Sequence, residues 1–206
     1  MRNLPLIFAL AVAPLCGEGW EEADRDRLIS NLEQTRKNYT QALENVSEAQ
    51  WKFKPAPERW SIAECAEHIA VTEPMLLGMV QKTLAGQPTA EFKGNAGSDA
   101  KIANAMTDRS KKFTAPKEVA PTGRFATKAE TIAAFNKHRD VTIDLVKTTK
   151  LDLRSYGAKG PAGPMDASQW LLLISGHTDR HIAQMKEVMA HPDYPNLGGI
   201  SNRPPQ

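Results

Sequence analysis

The chain has 206 residues, of which 41% are hydrophobic and 24% are charged, values that are usual for one soluble domain with a substantial core. The formal net charge is +2, and acidic and basic residues are interspersed, so the chain lacks the positive field that a nucleic-acid-binding protein needs. These values favour a single domain and exclude nucleic acid as an expected partner.

The first residues have the layout of a secretory signal peptide, because Arg2 precedes an apolar run over residues 4–15 that is too short to span a bilayer. We expect a signal peptide over residues 1–17, cleaved after Gly17. Cleavage after Ala13 is less favoured, because Pro14 would follow it. A lipid anchor at Cys16 is the less favoured alternative. The chain is therefore predicted to be exported to the periplasm or the cell exterior, with Cys65 as its one remaining cysteine and no disulfide.

Two amphipathic helices are predicted in the first half of the mature chain. The first covers about residues 21–45, and the second begins where Ser61 and Glu64 form a capping box. The intervening residues 47–60 contain two prolines, so they should form an ordered loop. Its aromatic residues are Trp51, Phe53 and Trp60. Their side chains could cap one end of a bundle or line a pocket, and the sequence favours neither reading.

A long connection follows over residues 87–126, which are rich in Gly, Pro, Lys and Thr and lack sustained periodicity. A short helix is expected at about residues 99–112. Such a long connection in a compact domain usually covers a site or an interface. A second capping box, Thr127 with Glu130, predicts the start of the third helix, whose inner face includes Arg139.

The fourth helix is predicted to begin at Asp166, with Gln169 completing its cap, and to continue to about residue 191. Residues 151–165 should be a turn or a short extended linker, because they are rich in glycine and proline. No strand-like alternation of any length is present. The sequence therefore predicts an all-α four-helix bundle over residues 18–192, with a long connection between helices two and three and an irregular tail over residues 193–206.

Two histidines lie on the apolar stripe of the fourth helix. His177 and His181 are four residues apart and therefore project from the same face, which should point into the core. Burying two imidazoles is unfavourable unless a partner satisfies them, and one metal ion can satisfy both. The alternative is that the two imidazoles bind no metal and are satisfied by hydrogen bonds within the protein.

His68, on the second helix, is the best candidate for a third ligand, although a single histidine at the edge of a stripe is more often structural or exposed. Cys65 forms a C-x-x-H pair with it, but no second pair completes a zinc-finger pattern. Glu64 is better explained by the helix cap, and Glu67 is expected to be solvated. Glu64, Glu73 and Gln184 lie near enough by helical spacing to support the ligands.

Two motifs connect these residues with a known family. Residues 60–69, WSIAECAEHI, and residues 177–185, HTDRHIAQM, resemble the W-S-x-x-E-x-x-x-H-l and H-x-x-x-H-x-x-Q-i motifs of the DinB-like (DinB/YfiT-like) helical metalloproteins. Residues 121–135 are also similar to that family's lead into its third helix. The resemblance covers most of the mature chain and implies the family's four-helix bundle.

By this resemblance, His68, His177 and His181 should hold a divalent metal ion and leave a coordination position open. Zinc suits three imidazoles best, with nickel, iron and copper as alternatives. The open position could activate water or a thiol, so the expected function is a metal-dependent hydrolase or a thiol transferase. Export argues against a cytoplasmic thiol cofactor.

The alternative is a non-catalytic protein of the cell envelope that binds metal or a small ligand. No catalytic residue beyond the metal site stands out. The small-molecule substrate is not specified by the sequence, and a homodimer is left open.

Overall fold

The computed structural model of the protein describes residues 21–160 and 163–196. The α-helices are α1 (Glu22–Leu43), α2 (Glu48–Lys52), α3 (Ile62–Leu84), α4 (Ala96–Thr107), α5 (Lys128–Thr148) and α6 (Ala167–Met189). Strands β1 (Gly157–Gly160) and β2 (Gly163–Asp166) form an antiparallel hairpin, and 3-10 helices cover Lys117–Val119 and Leu153–Ser155. The predicted signal peptide and all of the predicted tail beyond residue 196 lie outside the described residues. Within them, no helix has the length and apolar character needed to cross a bilayer.

Helices α1, α3, α5 and α6 form the bundle. Helix α1 packs against α5 and α6, and α3 packs against the same two helices, so α1 and α3 lie on one diagonal and α5 and α6 on the other. The long connection joins α3 to α5 and contains α4, which packs on the outside of α6. The predicted all-α four-helix bundle with this connection is confirmed.

Two core clusters fill opposite ends of the bundle and fix the helix directions. The first contains Leu28 from the start of α1, Val80 from the end of α3, Val146 from the end of α5 and Leu171 from the start of α6. The second contains residues from the other end of each helix: Leu43, Ile62, Phe135 and Met185. Helices α1 and α6 are therefore parallel neighbours, as are α3 and α5, whereas the neighbours α1 and α5, the neighbours α3 and α6, and both diagonal pairs are antiparallel.

The caps that the sequence predicts begin the helices that carry the histidines. Ser61 and Glu64 form the complete capping box of α3, and Asp166 and Gln169 form that of α6. At the start of α5 the box is only half present. Thr127 accepts a hydrogen bond from the Glu130 N–H, whereas the Glu130 carboxylate accepts one from the Ala126 N–H.

The glycine-rich segment before α6 differs from the prediction, because it forms the β1–β2 hairpin. Its eight strand residues, GAKG and GPMD, have no apolar alternation and are held by backbone pairing between Gly157 and Asp166 at one end and Gly160 and Gly163 at the other. The helix expected at about residues 99–112 is present but begins and ends earlier, because Asn95 and Ser98 form its capping box.

A buried ion pair lies at the centre of the bundle. The Arg139 side chain is fully buried, and its Nε and Nη2 donate to Glu73 Oε1 at 2.7 Å and Oε2 at 2.9 Å. Its Nη1 donates to the Leu32 carbonyl and to Thr35 Oγ1, both at 2.6 Å, and its Nη2 also donates to Thr178 Oγ1 at 2.9 Å. One guanidinium on α5 thus bonds to α1, α3 and α6.

Replacing Arg139 with methionine should cost about 3–5 kcal/mol of unfolding free energy, because it leaves the Glu73 carboxylate buried without its cation. The double variant Glu73→Leu with Arg139→Met should recover most of that loss, since no buried charge remains. Chemical denaturation monitored by circular dichroism would measure both. As a control, Asp140→Asn removes the exposed pair with Arg36 and should cost less than about 1 kcal/mol. An Arg139→Met loss no larger than the control would contradict the central role of the pair.

A second prediction concerns the contact between α4 and α6. A Cβ at Gly176 would lie 2.9 Å from Met106 Cβ on α4, closer than real Cβ atoms approach, so Gly176→Ala should displace α4 and cost about 1–2 kcal/mol despite the better helix propensity of alanine. The matched control is Gly78→Ala in α3, where a Cβ meets nothing within 4 Å and a gain of about 0.5–1 kcal/mol is expected. Thermal unfolding of both variants measures the difference, and equal shifts in the two would disprove the close approach.

Candidate metal centre

The three histidines singled out in the sequence come together between α3 and α6. His68 lies in the first half of α3, His177 at the middle of α6 and His181 one turn later, so the antiparallel orientation of these helices brings them close together. His68 Nε2 lies 3.1 Å from His177 Nε2. The ligand atoms of all three imidazoles lie within 4.8 Å of one another. In the described part of the chain, no other group of three His, Cys, Asp or Glu residues converges in this way.

The other ring nitrogen of two histidines has a hydrogen-bond partner. His68 Nδ1 lies 2.8 Å from the carbonyl oxygen of Val119, in the long connection. A carbonyl can only accept, so Nδ1 carries the proton and Nε2 keeps a lone pair. His181 Nδ1 likewise lies 3.0 Å from Gln184 Oε1, one turn further along α6. Both bonds leave Nε2 free to face the cluster centre, as in protein metal sites where an outer partner fixes the tautomer.

Burial keeps these imidazoles neutral. His68 and His181 are 4% and 8% exposed, whereas His177 is half-buried. Desolvation lowers the pKa of His68, lowers the pKa of His177 well below its usual value, and lowers that of His181 to about 3. Neutral rings are the form that binds a metal ion.

The geometry fits a divalent ion held by three nitrogens. With Zn–N bonds of about 2.0–2.1 Å, two ligands at a tetrahedral angle lie about 3.3 Å apart, close to the 3.1 Å between His68 Nε2 and His177 Nε2. A simple hydrogen bond also explains that one distance. It does not explain why His181 presents its Nε2 to the same point, with its Nδ1 already bonded to Gln184.

The cluster does not occupy the centre of the bundle, which is where the sequence pattern pointed. Arg139 and Glu73 fill that position, and the histidines lie at the α3–α6 seam beneath the long connection. This agrees with the expectation that the connection covers a site. Arg180 fastens it to α6, because its guanidinium donates to the carbonyls of Met106, Asp108 and Lys111.

Of the aromatic residues before α3, one lines the site and two cap an end of the bundle, so each of the two predicted roles is found. The Trp60 ring lies 4.9 Å from the His68 ring and 5.9 Å, nearly parallel, from the His181 ring, so Trp60 lines the site. Phe53 instead packs on Tyr194 after α6, and Trp51 is buried in the second core cluster. Those two close the end of the bundle.

One of the three side chains proposed from the sequence to support the ligands does so. Gln184 bonds to His181, whereas Glu64 belongs to the α3 cap, as was favoured for it, and pairs with Lys54. Glu73 does not support a ligand, because it pairs with Arg139. Glu67 was expected to be solvated, and this was wrong. It is 5% exposed and accepts hydrogen bonds from the connection, a role that helical periodicity could not reveal.

Cys65 is excluded from the cluster. It is fully buried in the second core cluster, and burial raises the pKa of its thiol far above the usual value. The neutral thiol is a poor metal ligand and packs as an apolar side chain.

Comparisons with known proteins agree with the fold. The profile of the DinB superfamily matches residues 31–185. The uncharacterized protein YuaE of Bacillus subtilis is 23% identical over 147 residues, which cover 71% of this chain and 87% of YuaE. The structure of YfiT from Bacillus subtilis, described as a probable metal-dependent hydrolase with an unusual four-helix bundle topology, superposes with a TM-score of 0.54 at 16% identity. That match covers 84% of this chain and 90% of YfiT and shows the shared fold.

Proposed function

Because the chain belongs to the DinB superfamily, we propose that it is a metal-dependent hydrolase whose divalent ion is held by His68, His177 and His181. The observation that carries the proposal is the convergence of three neutral imidazoles, two of them with the far nitrogen already hydrogen-bonded. Zinc is the ion that suits this ligand set best, with nickel or iron as alternatives. The resemblance to YfiT, described as a probable metal-dependent hydrolase, supports the same reaction class.

When bound, such an ion supplies Lewis acidity and acidifies water for attack on an ester or amide. The protein contributes the shape of the approach. His177 is the most exposed of the three ligands, so substrate enters on its side, and the Trp60 ring forms an apolar wall against His68 and His181.

The carboxylates near the site are already engaged. Glu64 accepts from the Ser61 N–H and pairs with Lys54, Glu67 bonds to backbone N–H groups, and Glu187 pairs with Arg59 and Arg109. None of the three is placed as a free general base. The proposed chemistry therefore depends on the ion and on positioning rather than on a dedicated carboxylate.

Metal analysis of single histidine variants tests the ligand set. The protein purified without an affinity tag should hold about one divalent ion per chain. Each of the variants His68→Ala, His177→Ala and His181→Ala should lower the metal affinity by more than about 100-fold, the upper end of the loss caused by removing a hydrogen-bond partner of a ligand. His138→Ala and His191→Ala are matched controls, because both histidines are half-exposed and lie outside the cluster. Equal metal content in all five variants would eliminate the site.

The same variants separate the reaction classes. The zinc-loaded protein is assayed against a panel of small esters and amides, and hydrolysis should be lost in His177→Ala and retained in His191→Ala. Metal binding without turnover would replace the hydrolase with a non-catalytic binding protein. Conversion that requires an added thiol would replace it with a thiol transferase.

We also infer that the chain is exported, on the basis of the signal-peptide pattern over residues 1–17. Expressed at full length in a Gram-negative host, the protein should be recovered from the periplasm with Glu18 as its first residue, as N-terminal sequencing would measure. A lipid-modified Cys16 would favour the anchored alternative. An uncleaved chain in the cytoplasm would rule out export.

A further inference from the structure

Glu67 is a buried carboxylate that the proposed hydrolase does not use directly. It precedes His68 in α3 and is 5% exposed. Its Oε1 accepts the Thr122 N–H at 2.7 Å and its Oε2 accepts the Gly123 N–H at 2.8 Å, and Arg124 Nη1 lies 3.4 Å from Oε1. Both oxygens are therefore fixed on one short stretch of the long connection.

That stretch also carries the carbonyl that orients His68. Val119 ends the 3-10 helix Lys117–Val119, and its oxygen accepts the His68 Nδ1–H at 2.8 Å. Arg124 closes the stretch on itself, because its guanidinium donates to the carbonyls of Glu118 at 2.9 Å and Ala120 at 3.1 Å. Residues 118–124, which we name the anchor segment, thus form one compact unit held by α3 at two points.

We propose that Glu67 is the positioning residue of the metal centre, holding the anchor segment so that the Val119 carbonyl keeps the His68 proton on Nδ1 and the Nε2 lone pair toward the ion. Adjacent residues on a helix project about 100° apart, so Glu67 and His68 reach the segment from different directions. The proposal rests on the metal site proposed above and assigns no catalytic step to Glu67.

The charge of Glu67 is essential to this role. A carboxylate can accept from two backbone N–H groups at once, and such charge-assisted bonds are stronger than neutral ones. In Glu67→Gln the side-chain NH₂ would face one of the two N–H donors, so one bond is lost while size and shape are kept. The anchor segment should then loosen and release the Val119 carbonyl.

Two readouts on Glu67→Gln test the proposal. The first uses the metal-free protein: ¹⁵N NMR of the imidazoles should show His68 with its proton on Nδ1 in the parent chain and a mixture of tautomers in the variant. The second is zinc affinity by chelator competition, which should fall about tenfold, the lower end of the loss for an outer partner. Because the first readout needs no metal, it stands even if the metal site itself fails.

The matched control is Glu130→Gln. Glu130 also accepts a backbone N–H of the long connection, that of Ala126 at 2.9 Å, but it lies outside the anchor segment. A second variant, Gly123→Ala, strains the segment while the Glu67 side chain stays unchanged, because Gly123 has a φ of 78° and a Cβ there would meet nothing within 4 Å. It should shift the His68 tautomer in the same direction as Glu67→Gln, whereas Glu130→Gln should not.

The outcomes are distinct. If Glu67→Gln lowers the unfolding free energy but leaves the His68 tautomer and zinc affinity as in the parent, the residue is only structural and the proposal is overturned. If Glu67→Gln does not fold, Gly123→Ala decides by the same two measurements. If the tautomer shifts but the parent binds no zinc, the positioning contact stands and the proposed metal-dependent function fails.

Discussion

The Arg139–Glu73 pair sets the arrangement of the bundle. A guanidinium with no exposed surface is tolerable only where carboxylate and hydroxyl or carbonyl oxygens satisfy its donors, and here they come from α1, α3 and α6 together. Rotation of any of these helices about its axis would remove an acceptor from a buried cation. The pair is therefore a satisfied polar network between the two apolar clusters, and such a network favours one arrangement of the helices.

The Arg139–Glu73 pair also helps to set the direction in which the histidines point. Thr178 on α6 accepts from Arg139, so that face of the helix is turned toward the bundle centre. His177 and His181 then project toward the seam with α3, where His68 is presented by the capped first half of that helix. Arg139 and Glu73 fill the bundle centre, and the site lies beneath the long connection instead.

The parts of the fold and the site that could be predicted from the sequence are those that depend on residues close together in the chain. The helices and the caps at Ser61 and Asp166 follow from spacings of three or four residues, and the structure places them where the periodicity predicts. The spacing of His177 and His181 correctly brings their rings together, but at the seam with α3 rather than at the bundle centre. The hairpin at Gly157 was missed because its strands have no apolar alternation and depend on backbone pairing alone.

The contacts that orient the site could not be predicted in this way. His68 and Val119 are 51 residues apart, and Glu67 and Thr122 are 55 apart, in a stretch of chain without periodicity. On a helical wheel, Glu67 looks like any polar residue beside a stripe. Only the folded connection shows that two backbone N–H groups meet it, and sequence patterns carry no information about backbone donors.

The connection itself explains why charged side chains hold it. Residues 111–118 are mostly exposed, Phe113 to 68%, so this stretch buries too little apolar surface to be fixed by packing. Polar contacts on either side of this stretch hold the long connection. Arg180 donates to three carbonyls of the connection on one side, and Glu67 accepts from two of its N–H groups on the other. Each anchor belongs to a helix that also carries a histidine of the cluster. A displacement of the connection would therefore disturb both helices that hold the imidazoles, so the connection belongs to the candidate metal centre together with the bundle beneath it.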